Sequence, residues 1–272
     1  MHNSHVSRRN TPANFENEPW ELKPWRKFEK IGLRLQQRIY AARKQGNLKK
    51  VKRLQRLLLK SRAARFLAVR KVTQRNAGKR TAGIDGKVVL TENDRMELVR
   101  QLETEAGQWK PSPARRVWIP IADGTHRKLG IPTLADRAWQ ALVTLALEPC
   151  AEATFHANSY GFRPGRGCWD AHKVIWVRTC KGSIASSKFS GYIYELDIEK
   201  GFDRIDHMDL IKRVELPKQY CHALFTTLKA GVIVDFRSYE STEQGTPQGG
   251  VISPLLANIS LNGVEALGSC VR

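Results

Sequence analysis

The chain has 272 residues, 41% of them hydrophobic, which is material for one large core or two medium ones. No apolar run approaches the roughly 20 residues of a membrane span, and residues 1–20 lack the apolar stretch of a secretory signal, so membrane and secreted disulfide classes are excluded. The formal net charge is +20, and it is lopsided: residues 1–80 hold 23 Lys/Arg against 4 Asp/Glu, whereas residues 81–272 hold 23 against 22. Such a segment selects a polyanionic partner, and nucleic acid is the usual one. The five cysteines, Cys150, Cys168, Cys180, Cys221 and Cys270, form no Cys-x-x-Cys and no zinc pattern. They read as reduced intracellular thiols; no membrane partner is expected, an acidic membrane surface being the weaker alternative to nucleic acid for the basic segment.

Residues 1–22 read as a flexible lead. From Lys23, apolar positions Phe28, Ile31, Leu35 and Ile39 recur at helical spacing. Gly46-Asn47 punctuates, and Leu48, Val51, Leu54, Leu58, Phe66 and Val69 predict a second helix. Between them stand Arg34, Arg38, Lys49, Lys50, Lys52, Arg53, Arg56 and Lys60, with almost no acid from Lys30 to Arg80. A solvated helix face normally mixes signs. This one predicts RNA or DNA binding through Arg53, Arg56 and Lys60.

Residues 73–90 read as a glycine-containing loop, and residues 91–108 as a helix capped by Thr91. Residues 115–121 (RRVWIPI) and 127–131 (RKLGI) read as strands joined by Asp123-Gly124. A helix over 135–151 follows, then the Gly/Pro loop 159–166 (SYGFRPGR) and a helix over 169–180. Residues 191–197 (GYIYELD) predict a strand, a helix starts near His207, 232–239 reads as one strand, and 252–267 as a helix. Strands and helices do not alternate regularly, which indicates an α+β fold behind a basic helical extension.

Two segments invite chemistry. Asp197 ends the predicted strand 191–197; a carboxylate there needs compensation, either by a helix or turn N–H or by a hard divalent cation such as Mg²⁺. Gln244-Gly245-Thr246-Pro247-Gln248-Gly249-Gly250 lets backbone and an amide side chain approach a planar ligand, or is simply a tight loop before a helix.

With residues 76–86 (NAGKRTAGIDG), 128–140 (KLGIPTLADRAWQ), 159–166, 196–207 (LDIEKGFDRIDH) and 244–258 (QGTPQGGVISPLLAN), the chain resembles the reverse transcriptases encoded by group II introns, the maturases. The five motifs stand in the family's order. The resemblance implies an incomplete right-hand polymerase, with fingers and partial palm over 91–272 behind an N-terminal extension over 23–90. It implies an RNA-directed DNA polymerase that binds intron RNA, an RNA template, a DNA primer and deoxynucleoside triphosphates. Asp197 and the Ile198 carbonyl match Mg²⁺ ligands, with Asp197 catalytic. Phe202 matches the ring under the nucleotide sugar, and Gln248 the residue lining the incoming nucleotide. Lys128 and Arg137 match cations that grip the triphosphate, with Arg127 a rival to Lys128 because the strand register is open; Asp203 and Asp206 read as structural. The family's Tyr-x-Asp-Asp hairpin is not in this sequence. The expectation is therefore the front part of such an enzyme, inactive alone and completed by a C-terminal polypeptide, or else a protein that only holds RNA.

Overall fold

A computed structural model describes residues 18–122, 124–179 and 195–264. The basic segment folds as α1 (Trp25–Lys44), α2 (Leu48–Leu59) and α3 (Arg62–Arg70). The Asn47 side chain caps α2 by accepting from the Lys50 N–H at 3.0 Å. The sequence predicted one helix from Leu48 through Val69, but the chain breaks at Lys60-Ser61. The reason lies in α3: Ala63, Ala64, Arg65, Phe66, Ala68 and Val69 are all buried, so α3 is enclosed nearly all round, whereas α2 keeps one wet face. A straight helix could not do both. Ile31, predicted to face the core, is 37% exposed.

The flexible lead expected over 1–22 is corrected at its described end. Trp20–Leu22 forms a 3₁₀ turn, and the Trp20 indole is buried against Trp25 and Phe66 at centroid distances of 5.1 and 5.6 Å. Its Nε1–H donates to Gln74 Oε1 at 3.1 Å, which satisfies the polar tip.

Helix α4 (Glu92–Glu105) opens with a reciprocal box between Thr91 and Asp94, as the sequence indicated at Thr91. Strands β1 (Ala114–Pro120) and β2 (His126–Ile131) form an antiparallel hairpin. Of its expected turn pair, Asp123 lies outside the described residues, while Gly124 sits at φ +80. Helix α5 (Leu134–Glu152) is the central post, buried along most of its length. At its start Asp136 accepts from Thr133 Oγ1 at 2.6 Å, Trp109 Nε1 at 2.8 Å and the Ser112 N–H at 3.3 Å. Burial still pushes its carboxyl above the usual range, against those three donors.

Helices α6 (Cys168–Thr179), α7 (His207–Arg213), α8 (Lys218–Leu228) and α9 (Ser253–Leu261) follow. The strand expected over 232–239 is two strands, β3 (Val232–Val234) and β4 (Ser238–Glu240). Asp235 and Phe236 turn the chain at φ +49 and +58, the signature of a type I′ turn. An Asp-Phe pair lacks the usual glycine, so the turn was illegible. The sheet order is β2-β1-β3-β4, with β1 and β3 parallel. Of the strand expected over 191–197, residues 191–194 lie outside the described residues, and Glu195–Asp197 are exposed irregular backbone.

The fold is α+β, with a small mixed sheet beside a helical body. One apolar cluster runs from Trp20, Phe28 and Leu58 through Leu142 and Leu147 to Leu210, Leu224 and Leu256. The basic extension and the rest of the chain thus share a core. Gln55 of α2 seals the joint, donating to the carbonyls of Ala146 and Glu215 at 3.2 and 2.7 Å.

Candidate nucleotide and nucleic-acid site

The Gln244–Gly250 loop is stitched to the turn that carries Phe202. Gly245 N–H donates to Ile205 O at 2.7 Å, and Thr246 N–H to Phe202 O at 2.8 Å. Gly245 has φ +85, and a Cβ there would meet Asp203 O at 2.6 Å, so only glycine fits. Buried His207 donates from Nε2 to the Gly245 carbonyl at 2.6 Å; the acceptor is a carbonyl, which fixes the proton on that nitrogen. On its far side the loop meets β2: Gly130 N–H donates to Gln248 O at 3.0 Å. Gln140 of α5 accepts from the Val251 N–H at 2.8 Å, fixing the exit from the loop. Two elements far apart in sequence are thereby locked in register.

The half-buried Gln248 side chain sits between two open spaces. Its Oε1 accepts from Arg127 Nε at 3.0 Å and its Nε2 donates to Asp203 Oδ1 at 3.3 Å. On one side lies a cavity of about 990 Å³, lined by Phe202, Phe162, Arg127, Gln248 and, from the extension, Arg70 and Arg75. On the other lies a cleft of about 650 Å³, lined by Arg116, His126, Arg127, Lys128, Lys200 and Gln248. The first is large enough for a nucleotide-sized ligand, and the second mixes Arg116, Arg127, Lys128 and Lys200 with the carboxylates of Asp136, Asp203 and Glu243.

Phe202 is half-buried, its ring edge-to-face with Phe162 at 6.1 Å and 79°. Phe162 holds a left-handed backbone (φ +55) on the Ser159–Arg166 loop. Arg163 folds that loop. It forks onto both Glu152 oxygens at 2.9 and 2.7 Å and donates to the carbonyls of His156 and Ser159.

The register resolves the rivalry between Arg127 and Lys128 into two placements. Lys128 pairs with Trp118 and Arg127 with Ile119, so the two cations leave opposite faces of the hairpin. Lys128 Nζ stands 5.3 Å from the Trp118 ring, whereas Arg127 reaches Gln248. Arg137 requires a correction. It was expected to grip a triphosphate, but it is buried (4% exposed) and spends its guanidinium on the carbonyls of Pro132 (3.1 Å), Gly78 (2.9 Å) and Thr81. Its reach goes into the Asn76–Thr81 turn, not into either opening. Burial also lowers its pKa.

Asp197 is exposed, and its Oδ1 accepts the following Ile198 N–H at 2.9 Å. Mg²⁺ asks for a near-octahedral set of about six oxygens. One carboxylate and one carbonyl are two of those, and among the described residues no three His, Cys, Asp or Glu converge on a metal position. The donors in hand do not complete a magnesium site. Asp206 is a helix cap, accepting the Asp209 N–H at 2.7 Å, as expected of a structural residue.

On α2, Lys52, Arg53, Arg56 and Lys60 are exposed, and no ion pair engages them among the described residues. The wet face predicted from the sequence is therefore bare positive charge. Sequence reasoning passed over Phe162, His207, Lys200, Arg116 and His126 as site residues. Pairing the hairpin about Asp123-Gly124 would have put Arg116, Lys128 and His126 on one face; nothing in the sequence marks Phe162, His207 or Lys200. No helix among the described residues is long and apolar enough to cross a membrane.

Residues 20–102 match the N-terminal domain of reverse transcriptase, and residues 119–267 match reverse transcriptase (RNA-dependent DNA polymerase). The chain is 38% identical over 217 residues to Protein YkfC of Escherichia coli, an alignment covering 77% of this chain and 56% of that protein. It is 31% identical over 248 residues to Maturase-like protein 1 of Euglena gracilis, covering 91% and 52%. It is 35% identical over 198 residues to the group II intron-encoded protein LtrA of Lactococcus lactis, covering 70% and 31%. The chain thus spans about half the length, or less, of these curated relatives. The reverse transcriptase match covers more than half of the residues, and the chain belongs to the reverse transcriptase family, among relatives that are group II intron-encoded and maturase-like proteins.

Proposed function

We propose that these residues form the RNA-binding extension, fingers and part of the palm of an RNA-directed DNA polymerase of group II intron type. The observation that carries the reading is the Arg127–Gln248–Asp203 chain beside Phe202, set between an apolar-walled cavity and a cleft that Lys128 and Lys200 line. In this reading Phe202 lies under the sugar of a bound deoxynucleotide, and its ring leaves no room for a 2′-hydroxyl. Gln248 lines the base side, held by Arg127. Lys128, with Lys200 across the cleft, attracts the triphosphate and neutralises charge developing on it. Arg137 acts at a distance by holding the Asn76–Thr81 turn. Asp197 and the Ile198 carbonyl are the first oxygen ligands offered to Mg²⁺, the remainder coming from outside the described residues. The partners are a structured intron RNA on α2, an RNA template and a DNA primer.

The test is primer extension on an RNA template with Mg²⁺, using the chain alone and mixed with a polypeptide that carries a Tyr-x-Asp-Asp hairpin and thumb. The expected result is no extension alone, extension in the mixture, and its loss with Asp197→Asn. Extension that survives Asp197→Asn would overturn the metal assignment.

A second reading, an RNA-holding protein without polymerase activity, is favoured by the exposed cations of α2, which have no ion pair among the described residues. It predicts tight RNA binding and no extension in any mixture.

A further inference from the structure

We infer that Phe162 is a positioning residue for Phe202: its ring, held in place by its own loop, fixes the pose of the Phe202 ring and so sets how firmly a 2′-hydroxyl is refused. Phe162 stands where local energetics disfavour it. Its backbone is left-handed at φ +55, a region that a bulky side chain rarely adopts, and its ring is 68% exposed. Glycine would suit that backbone, and a polar side chain that exposure. Fold stability therefore does not account for a phenylalanine here. The chain on both sides is nevertheless pinned. The Gly161 carbonyl accepts from Asn258 Nδ2 of α9 at 2.8 Å. Buried Arg163 forks onto Glu152 of α5 and ties down the His156 and Ser159 carbonyls. A strained residue persists where its surroundings over-determine it, and such residues cluster at functional sites.

The pinned ring has Phe202 as its aromatic partner among the described residues. The two meet edge to face at 6.1 Å and 79°, and both line the same cavity. Phe202 also packs against the apolar cluster, so its ring rests on the core and on Phe162. Its backbone is fixed separately, by the Thr246 N–H on its carbonyl at 2.8 Å. The main chain thus places the Phe202 Cα, and Phe162 restrains the side-chain torsions beyond it. Without Phe162, the Phe202 ring gains freedom to turn into the vacated space and away from a sugar. The energy of such an aromatic pair corresponds to about a three- to tenfold preference for the held pose, which bounds the effect. The ring placement stands on geometry alone; its consequence for the 2′-hydroxyl rests on the role proposed for Phe202.

The experiment has two arms, each run on Phe162→Gly, Phe162→Tyr and Phe202→Val. In the first, the nine phenylalanines of the full chain carry a 4-fluoro label, and the Phe202 resonance is identified by its loss in Phe202→Val. The 4-position lies on the ring-flip axis, so its line width senses swinging of the whole ring and not flips. Phe162→Gly should narrow the Phe202 line, and Phe162→Tyr, which keeps a ring in place, should not. The thermal midpoint of Phe162→Gly should hold, because glycine suits the left-handed backbone. In the second arm, the mixture with the hairpin-and-thumb polypeptide is assayed for the ratio of kcat/KM on deoxynucleotide and ribonucleotide. Phe162→Gly should lower that ratio about three- to tenfold, and Phe162→Tyr should restore it. An unchanged Phe202 line in Phe162→Gly would overturn the inference, and so would equal losses on both substrates with a lower midpoint. A ratio that responds to Phe202→Val but not to Phe162→Gly would overturn this inference alone. A ratio that ignores Phe202→Val would overturn the sugar role of Phe202, and with it the consequence drawn for Phe162. The fluorine arm needs no catalysis, so it decides the positioning even where the mixture extends nothing.

Discussion

At Phe202 a single ring stands between two functions, packing and discrimination. It is half-buried, and its aromatic neighbour Phe162 is 68% exposed, so the ring is not sealed in a core. In a complemented enzyme, Phe202→Val should therefore raise ribonucleotide incorporation about tenfold or more while deoxynucleotide extension is retained, read as the ratio of kcat/KM for the two substrates. Unchanged discrimination would make the ring a packing residue. Arg137 carries the opposite lesson. Its guanidinium satisfies three carbonyls from the Pro132 and Gly78–Thr81 segments, a geometry a lysine ammonium on a flexible stem cannot copy. Arg137→Lys should lower stability by about 2 kcal/mol, visible as a lower urea midpoint at unchanged slope. The residue types at both sites were legible in the sequence. Whether a cation points at solvent or at backbone carbonyls depends on burial, which neither spacing nor charge reveals, so the inward reach of Arg137 was illegible, while Gln248 and Phe202 line one cavity.

Among elements, α2 separates its tasks by face. Val51, Leu54, Leu58 and Leu59 are buried, and Lys52, Arg53, Arg56 and Lys60 are in water. Changing Arg53, Arg56 and Lys60 together to Gln should leave the helix folded, because none of the three is buried or ion-paired among the described residues. Structured-RNA affinity should fall, and the log–log salt slope should shrink by up to about 2.7 on duplex, at about 0.9 per phosphate contact. A filter-binding salt series compares the two proteins. An unchanged slope would move the RNA contact elsewhere. The period of this helix was plain in the sequence, as were α1, α4 and α5. The type I′ turn at Asp235-Phe236 and the break at Ser61 were not: each is imposed by what the chain must pack against next. Helix α8 belongs to the same class, separated from α7 by the Leu216-Pro217 step.

At the scale of the whole molecule, the two family matches, 20–102 and 119–267, do not correspond to two cores. Arg43 of α1 pairs with Glu215 at 2.6 Å, and the Cys150 thiol of α5 donates to the same carboxylate at 3.0 Å. Burial pushes that thiol well above its ordinary pKa, so it stays a donor through the neutral range. A protein begun after residue 75 would expose the flank of α5 that α1, α2 and α3 cover, and leave Glu215 without its arginine. Such a truncation should aggregate or lose its cooperative thermal transition, rather than persist as a folded remainder with weaker RNA binding. Circular dichroism melts distinguish these outcomes.

The shared core has a consequence for inheritance. A segment joined by a flexible tether can be traded between lineages, because its loss leaves the recipient intact. Here the leucines under the cationic helix are the same ones that steady the post from which the Gln244–Gly250 loop hangs, through Gln140 to the Val251 N–H and Gln55 to the Ala146 carbonyl. A graft of this extension onto a distant relative would bring its charge but not its fit. RNA preference and loop placement should therefore drift together, with changes on α2 and α5 compensating one another, rather than being exchanged as independent parts.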